Sequence, residues 1–470
     1  MSNTSTLEKK KKFSAPHIYL LLIVVIVFCT LLTWILPAGE FDRTVNEAGT
    51  EVVVPGTFHE VEQSPVGPFQ MVQDLYVGMN DAAGVVFFVF ISYASISIII
   101  SSGAFNGLVA FLLKILKGKA RAAIIPIFIT IIGIGSSTIG LYEEVFPFIP
   151  VFVGICIAMG YDAVVGLAIV ALGAGLGYSG ATINPFTVGL AQGIAGLPTM
   201  TGIGFRIFCH LCFIIVGSVL TIRYALKIQA DPTKSVVYAD GPSRFAMSED
   251  DIHKHPFGIR EKLVLVVLVI GIGVIVYGSR TYGWYFQELS AVFIIMGIIS
   301  AIIMGLGPNA IAEKFADGFK DIAFACMAIG IARGILIVLQ DGCIIDTVVY
   351  YASLPLANVP TWLSGVAMLI VQTIISFLIG SGSGQAATSM PIMAPLADLL
   401  GFSRETAVLA FQMSDGLTNS LWPTGMTAVM CSLAGIKMHK WWKWFVPVFI
   451  CLFITEAVLM VIAVQTGFGL

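Results

Sequence analysis

Residues 135–150 read GSSTIGLYEEVFPFIP, and residues 380–395 read GSGSGQAATSMPIMAP. Each lies in a longer apolar region, 122–200 or 362–436, and interrupts it with glycine, serine and two prolines. Glycine loosens the backbone and proline removes a hydrogen-bond donor, so a membrane helix does not run straight through either stretch. Each reads as a helical hairpin that dips into the bilayer and returns, with tips at Gly135–Glu144 and Gly380–Thr388. The likeness extends past the hairpins. Gly160-Tyr161 and Gly401-Phe402 come next, then a helix broken at Asn184-Pro185 or at Trp422-Pro423. The two breaks stand about half the chain apart, the mark of an internal repeat.

Composition gives the solvent. Of 470 residues, 57% are hydrophobic and 11% charged, with a mean hydropathy of +0.93. That charge cannot cover a water-soluble surface of this size. A span takes about 20 mostly apolar residues, and stretches 18–36, 84–102, 204–222, 262–279, 287–306, 322–340 and 443–465 each supply one. A net charge of -3 gives no reason to expect a nucleic-acid partner. Seven of the eight cysteines fall in apolar segments, which speaks for packing and against a disulfide framework. Cys209-His210-Leu211-Cys212 lacks the second ligand pair a metal site needs. The lysine-led N-terminus resembles a signal peptide, but its apolar run is too long for one and suits a retained span.

The basic residues set an orientation. With Lys9–Lys12 in the cytoplasm, span 18–36 exits and the acidic stretch 38–81 lies outside. Span 84–102 returns to Lys114, Lys117, Lys119 and Arg121. If 122–160 is a hairpin opening inward, the helix from Asp162 crosses outward with a break at Ser179–Pro185, and span 204–222 returns to a basic linker. The second half repeats the scheme, its hairpin 362–400 opening outward and its broken helix 404–436 ending at Lys437, Lys440 and Lys443. Twenty basic residues then face the cytoplasm, four lie outside and Arg333 alone falls within a span. The expected fold is an all-α polytopic membrane protein of two inverted-topology repeats, each with a re-entrant hairpin and a broken helix. Its parts are a tail and first span (1–37), an extracytoplasmic acidic segment (38–83), a first repeat (84–226), a cytoplasmic linker (227–261), a two-span connector (262–306) and a second repeat (307–470).

Backbone at membrane depth must be paired or must line a wetted cavity. Tips and breaks therefore mark the substrate site. The candidates are Ser137, Glu143, Glu144, Thr182 and Asn184 in the first half, and Ser381, Ser383, Asp415, Thr418, Asn419, Trp422 and Thr424 in the second. Ionisable groups at such depth are costly and usually functional. Glu143 or Glu144 and Asp415 would meet a cationic group or a coupling ion; alternatively one glutamate caps a half-helix. Arg333 either holds a substrate carboxylate or pairs with a carboxylate such as Glu456. Trp422 either covers the substrate or fills the break, and Gln372 and Gln412 are second-tier candidates. If sodium couples transport, Ser136, Ser179 and Ser414 mark the places for it; no other metal and no organic cofactor is expected, and a proton is the other coupling ion.

These residues resemble the YfcC family, within the DcuC-type branch of the ion transporter superfamily. The resemblance rests on Tyr142-Glu143-Glu144, the Asp162 turn, Thr182-Ile183-Asn184-Pro185-Phe186, the stretch from Lys227 to Ser235, the run from Ser381 to Thr388, and Asp415-Gly416-Leu417-Thr418-Asn419. It implies an elevator-type carrier: hairpins and broken helices form a mobile unit against a scaffold that commonly makes a homodimer. It also implies small-molecule substrates, arginine and ornithine or dicarboxylates, in an inner membrane. The adjacent glutamates are similar to those of the basic amino acid antiporter branch. The expectation is thus a basic amino acid antiporter, with a sodium- or proton-coupled carboxylate carrier as the alternative. An intramembrane enzyme finds no catalytic set here, and a channel is disfavoured by the broken-helix repeats.

Overall fold

The computed structural model describes residues 17–45, 51–105, 107, 118–198, 200–246 and 258–469. The Lys9–Lys12 run, Lys114, Lys117, His253, Lys254 and His255 lie outside the described residues. Helices α1 (Ile18–Ile35), α2 (Pro68–Asp81) and α3 (Ala83–Ser101) come first, with two short antiparallel strand pairs between α1 and α2. The chain continues through α4 (Ile124–Ile139), α5 (Ile149–Ala158), α6 (Ala163–Ser179), α7 (Leu190–Ile194) and α8 (Ile203–Ala230). Next are α9 (Ile259–Tyr282), α10 (Phe286–Ile303), α11 (Pro308–Asp341) and α12 (Ile345–Ser353). The last are α13 (Thr361–Leu378), α14 (Gly382–Leu400), α15 (Arg404–Thr418), α16 (Thr427–Ala434) and α17 (Met438–Gln465). Eight described helices are long and apolar enough to span a membrane, and the protein is a multi-pass, all-α membrane protein.

Packing divides the helices into two groups. The first, α1, α2, α3, α9, α10 and α11, centres on α11. The second surrounds the two broken helices α6 and α15, with α4, α5, α8, α13, α14 and α17 against them. Within α6 every residue but Tyr178 is buried. In α15, Glu405 through Thr418 are all buried. A helix apolar or small on every side belongs at the centre of a bundle.

Length alone counts α4 and α13 as spans, but each is one arm of a hairpin. Arg121 Nη1 donates to Met159 O at 3.5 Å, so the segment from 121 to 159 closes on itself. In the second hairpin, a methyl group placed on Gly401 would lie 3.8 Å from Thr361 Cγ2. The open ends are far apart. The first adjoins Asp162, which caps α6 and accepts hydrogen bonds from Tyr224, near the end of α8, and from Ser235. The second adjoins Glu405, which pairs with Arg206 near the start of α8. Helix α8 has 28 residues, about 42 Å at 1.5 Å per residue. Both tips nevertheless reach one cavity, and the end of α6 lies against α8, where a methyl on Gly180 would stand 2.7 Å from His210 Cα.

The two broken helices cross there by their C-terminal ends. A methyl on Gly416 would lie 2.2 Å from Ser179 N and 2.5 Å from Gly175 O, so only glycine permits this approach. Gln412 Nε2 donates to Tyr178 O at 2.6 Å, and Ser179 Oγ to Met413 O at 3.0 Å. These two side-chain bonds tie each broken helix to the backbone of the other near their crossing.

The acidic segment 38–83 carries a helix that the sequence reading did not identify: Pro68 opens α2, which lies along α11 with Gly78 against Gly334. Asp74 is consequently buried, and Asp81 is brought to the cavity.

Candidate functional site

The cavity between the two helix groups measures about 280 Å³, the scale of a small-molecule site. Each broken element supplies one part of its wall. The first tip gives Tyr142 and Glu143; the first break gives Tyr178, Phe186 and Thr187. The second tip gives Gly380, Ser381, Gly382 and Ser383; the second break gives Asp415, Asn419 and Thr424. Asp81, Tyr285 and Arg333 close it from the α11 side.

Asp415 is the polar centre. It is 2% exposed. Asn419 Nδ2 donates to its Oδ1 at 3.3 Å, whereas Oδ2 has no hydrogen-bond partner among the described residues. Thr187 Oγ1 and Thr424 Oγ1, also on the cavity wall, are buried and unpartnered too. Buried polar atoms are nearly always paired, so such a cluster marks where a ligand's donors and acceptors belong. Gly382 is what lets the second tip close over Asp415: a Cβ there would stand 2.5 Å from Oδ2 and 3.0 Å from Thr187 Cγ2.

The second tip begins α14. Ser381 caps it, its Oγ accepting from Gly384 N at 3.3 Å and lying 3.3 Å from Ser383 Oγ. The positive end of a 19-residue helix thus faces the cavity, and such an end favours an anionic group. The formal charge of the wall is otherwise acidic, with Asp81, Glu143 and Asp415 against Arg333.

Several sequence candidates line this cavity: Glu143, Arg333, Ser381, Ser383, Asp415, Asn419 and Thr424. Others are brought close but serve the backbone. Glu144 Oε2 accepts from Tyr142 N at 2.8 Å and folds back over the tip. Ser137 Oγ bonds to Gly180 O and to Thr182 Oγ1, each at 3.0 Å. Asn184 Nδ2 donates to Ser136 O at 3.3 Å, and Thr418 Oγ1 to Ser414 O at 2.6 Å. Trp422 packs edge-on against Phe377 and donates to Ser376 Oγ at 3.3 Å, away from the cavity. Arg333 pairs with Asp81, not with Glu456. Of the serines considered for sodium, Ser136 donates to Leu141 O, Ser179 to Met413 O and Ser414 to Phe411 O. The sequence reading missed Asp81 and the aromatic wall of Tyr142, Tyr178, Phe186 and Tyr285.

Interrupted membrane helices that enclose a polar cavity at their meeting point are the architecture of a transporter. Residues 15–465 match the DcuC family, C4-dicarboxylate anaerobic carrier, and the chain belongs to that family. It is 29% identical to an uncharacterised protein of Haemophilus influenzae, over 97% of this chain and 98% of that one. It is 26% identical to the candidate basic amino acid antiporter YfcC of Escherichia coli (strain K12), over the full length of both. Two solved structures align with it. The Alcanivorax borkumensis YdaH transporter does so at 15% identity and a TM-score of 0.45, covering 96% of this chain and 99% of that one. Neisseria gonorrhoeae MtrF, of a class of antimetabolite efflux pumps, does so at 17% and 0.45, covering 96% and 95%.

Proposed function

We propose that this transporter is a secondary active antiporter of basic amino acids. The observation that carries the reading is the free Oδ2 of Asp415, buried in the cavity wall and facing the N-terminal turn of α14. An amino acid presents a cation and a carboxylate to match those two features. A second cationic group then has Glu143, and the faces of Tyr142, Tyr178 and Tyr285 suit a guanidinium. A dicarboxylate, the substrate in the family's name, would bring two negative charges to a wall with three carboxylates and one arginine. The name of the Escherichia coli relative supports the same choice.

The movement we infer is an elevator. The hairpins, α6 and α15 with their neighbours travel as one body, carrying the cavity past the scaffold centred on α11. The opposed hairpins and the crossing of α6 with α15 support the inverted repeats (84–226 and 307–470) that such a movement uses. The basic residues support an inner-membrane orientation with the N-terminus in the cytoplasm.

Counterflow in proteoliposomes tests the substrate. Ornithine loaded inside should accelerate arginine entry, and succinate should not. Acceleration of succinate exchange with no effect on arginine overturns the basic amino acid reading and leaves the dicarboxylate carrier.

A further inference from the structure

Beside the cavity lies a second space, between α11, α12, the start of α14 and the strand segment that follows α1. It measures about 380 Å³, room for a solute of the size the cavity takes. Arg333, Leu336 and Ser381 line both spaces. The first turns of α14 divide them: Gly382 and Ser383 line the cavity, whereas Gly384 and Thr388 line the second space.

Its far wall is fastened by contacts between distant parts of the chain. Asp346 of α12 is 3% exposed and accepts from Phe41 N at 3.0 Å and from Arg43 Nη2 at 2.9 and 3.1 Å. Gly39 N donates to Cys343 O, and Thr347 Oγ1 to Pro37 O, each at 2.9 Å. Phe58 stacks on Tyr350 with ring centroids 4.1 Å apart. The strand Glu51–Val53 lies along α14. The strand segment is thus a fixed wall.

Four charged side chains line this space, Glu40, Arg43, Arg333 and Asp346, and their charges balance. Asp81 pairs with Arg333 from the cavity side, so three carboxylates stand against two guanidiniums. That set complements a basic amino acid, which carries two cations and one carboxylate. A dicarboxylate would meet an excess of its own sign. Both bonds from Arg43 to Asp346 use Nη2, and a guanidinium carries five N–H donors. Arg43 is 37% exposed and can therefore hold a second carboxylate.

We propose that this space is a second binding site for basic amino acids, in series with the cavity. Glu40 takes a cationic group and Arg43 the carboxylate, while the tip of α14 separates the bound solute from Asp415. Displacement of that tip joins the two spaces, so solute held at Glu40 reaches Asp415 without returning to bulk water. The ligand class rests on the basic amino acid reading of the cavity.

Equilibrium binding of radiolabelled arginine to the purified full-length protein tests it. The wild type should bind two per chain, and Asp415→Asn and Glu40→Gln one each. Cys343 locates the second, because it lines this space and, of the eight cysteines, only Cys212 and Cys451 are otherwise not buried. In a Cys212→Ser, Cys451→Ser background carrying Asp415→Asn, arginine at about ten times its dissociation constant should slow maleimide labelling of Cys343 about tenfold. With Glu40→Gln in the same background the protection should disappear. One arginine per wild-type chain, with none on Asp415→Asn, overturns the second site and leaves the cavity reading standing. Two arginines still bound by Glu40→Gln also overturn it, and this count alone decides if Asp415→Asn does not fold or Cys343 does not react. No arginine bound by the wild type overturns the substrate reading, and the second site falls with it.

Discussion

Arg333 of α11 and Asp81 of α2 form an ion pair at the edge of the cavity between the two helix groups, both partly exposed. Gly78 and Gly334 bring the two backbones together beside the pair. Arg333 also lines a second depression with Glu40, Arg43 and Asp346, so it stands between that vestibule and the cavity. A half-exposed pair contributes at most about 1 kcal/mol to stability. Its weight falls on the electrostatics of the passage.

Arg333→Gln should therefore fold normally and bind a cationic substrate more tightly. A unit charge ~8 Å away at an effective dielectric of about 20 is worth roughly 2 kcal/mol, and exposure reduces that to about 1, or about fivefold. The arginine KM should drop by that factor. A dicarboxylate carrier would instead lose transport, so uptake kinetics of this variant separate the two substrate classes.

Asp415→Asn keeps the bonding partner of Asn419 but removes the unpaired carboxylate oxygen. A charge-assisted hydrogen bond to substrate is worth about 1.5–3 kcal/mol, so kcat/KM should drop by about 10- to 150-fold with expression unchanged. Gly382→Ala should reproduce the defect from the other side, since its methyl would occupy the space beside Oδ2. Wild-type uptake in both variants would remove this wall from the site.

The adjacent glutamates should separate. Glu143 lines the cavity, whereas Glu144 holds Tyr142 N within the tip. Glu143→Gln should raise KM for the longer basic amino acids. Glu144→Gln should retain the bond to Tyr142 N through its amide oxygen and bring a milder loss, while Glu144→Ala frees the tip. Uptake of arginine compared with a shorter analogue measures the difference.

The interruptions that decided the fold were legible because glycine and proline act locally, wherever the chain goes afterwards. Gly380–Gly384 and Asn184-Pro185 forbid a straight helix whatever packs around them. The site was half legible for a related reason. Ser137, Thr182, Asn184 and Thr418 are polar residues beside a break, as expected of ligands, yet each is engaged by the backbone groups that the break exposes. Tyr142, Tyr178 and Tyr285 were passed over because aromatic residues in apolar segments read as packing. Helix α2 was hidden by its charges. Asp74 and Asp81 counted toward an acidic exterior, although Pro68 with Met71, Leu75 and Met79 spaced behind it carried a helical signal.

The pair between Arg206 and Glu405 gives a test of what holds the second hairpin's open end. Arg206 is 0% and Glu405 2% exposed, and they meet at 2.9 Å. Gln192 Nε2 donates to the same carboxylate at 2.9 Å, as does the Thr201 hydroxyl, so four chain segments are tied at one point. Taking two charges out of water costs much of what their attraction returns, so the pair adds little net stability. Breaking it is different, because one charge is left buried alone. Glu405→Gln should destabilise the protein by about 3–5 kcal/mol, seen as a lowered melting temperature in detergent. The double variant Arg206→Met, Glu405→Leu removes both charges and should recover much of that loss. A double variant no more stable than Glu405→Gln would mean that the hydrogen bonds to Gln192 and Thr201, rather than charge balance, fasten this end of the bundle.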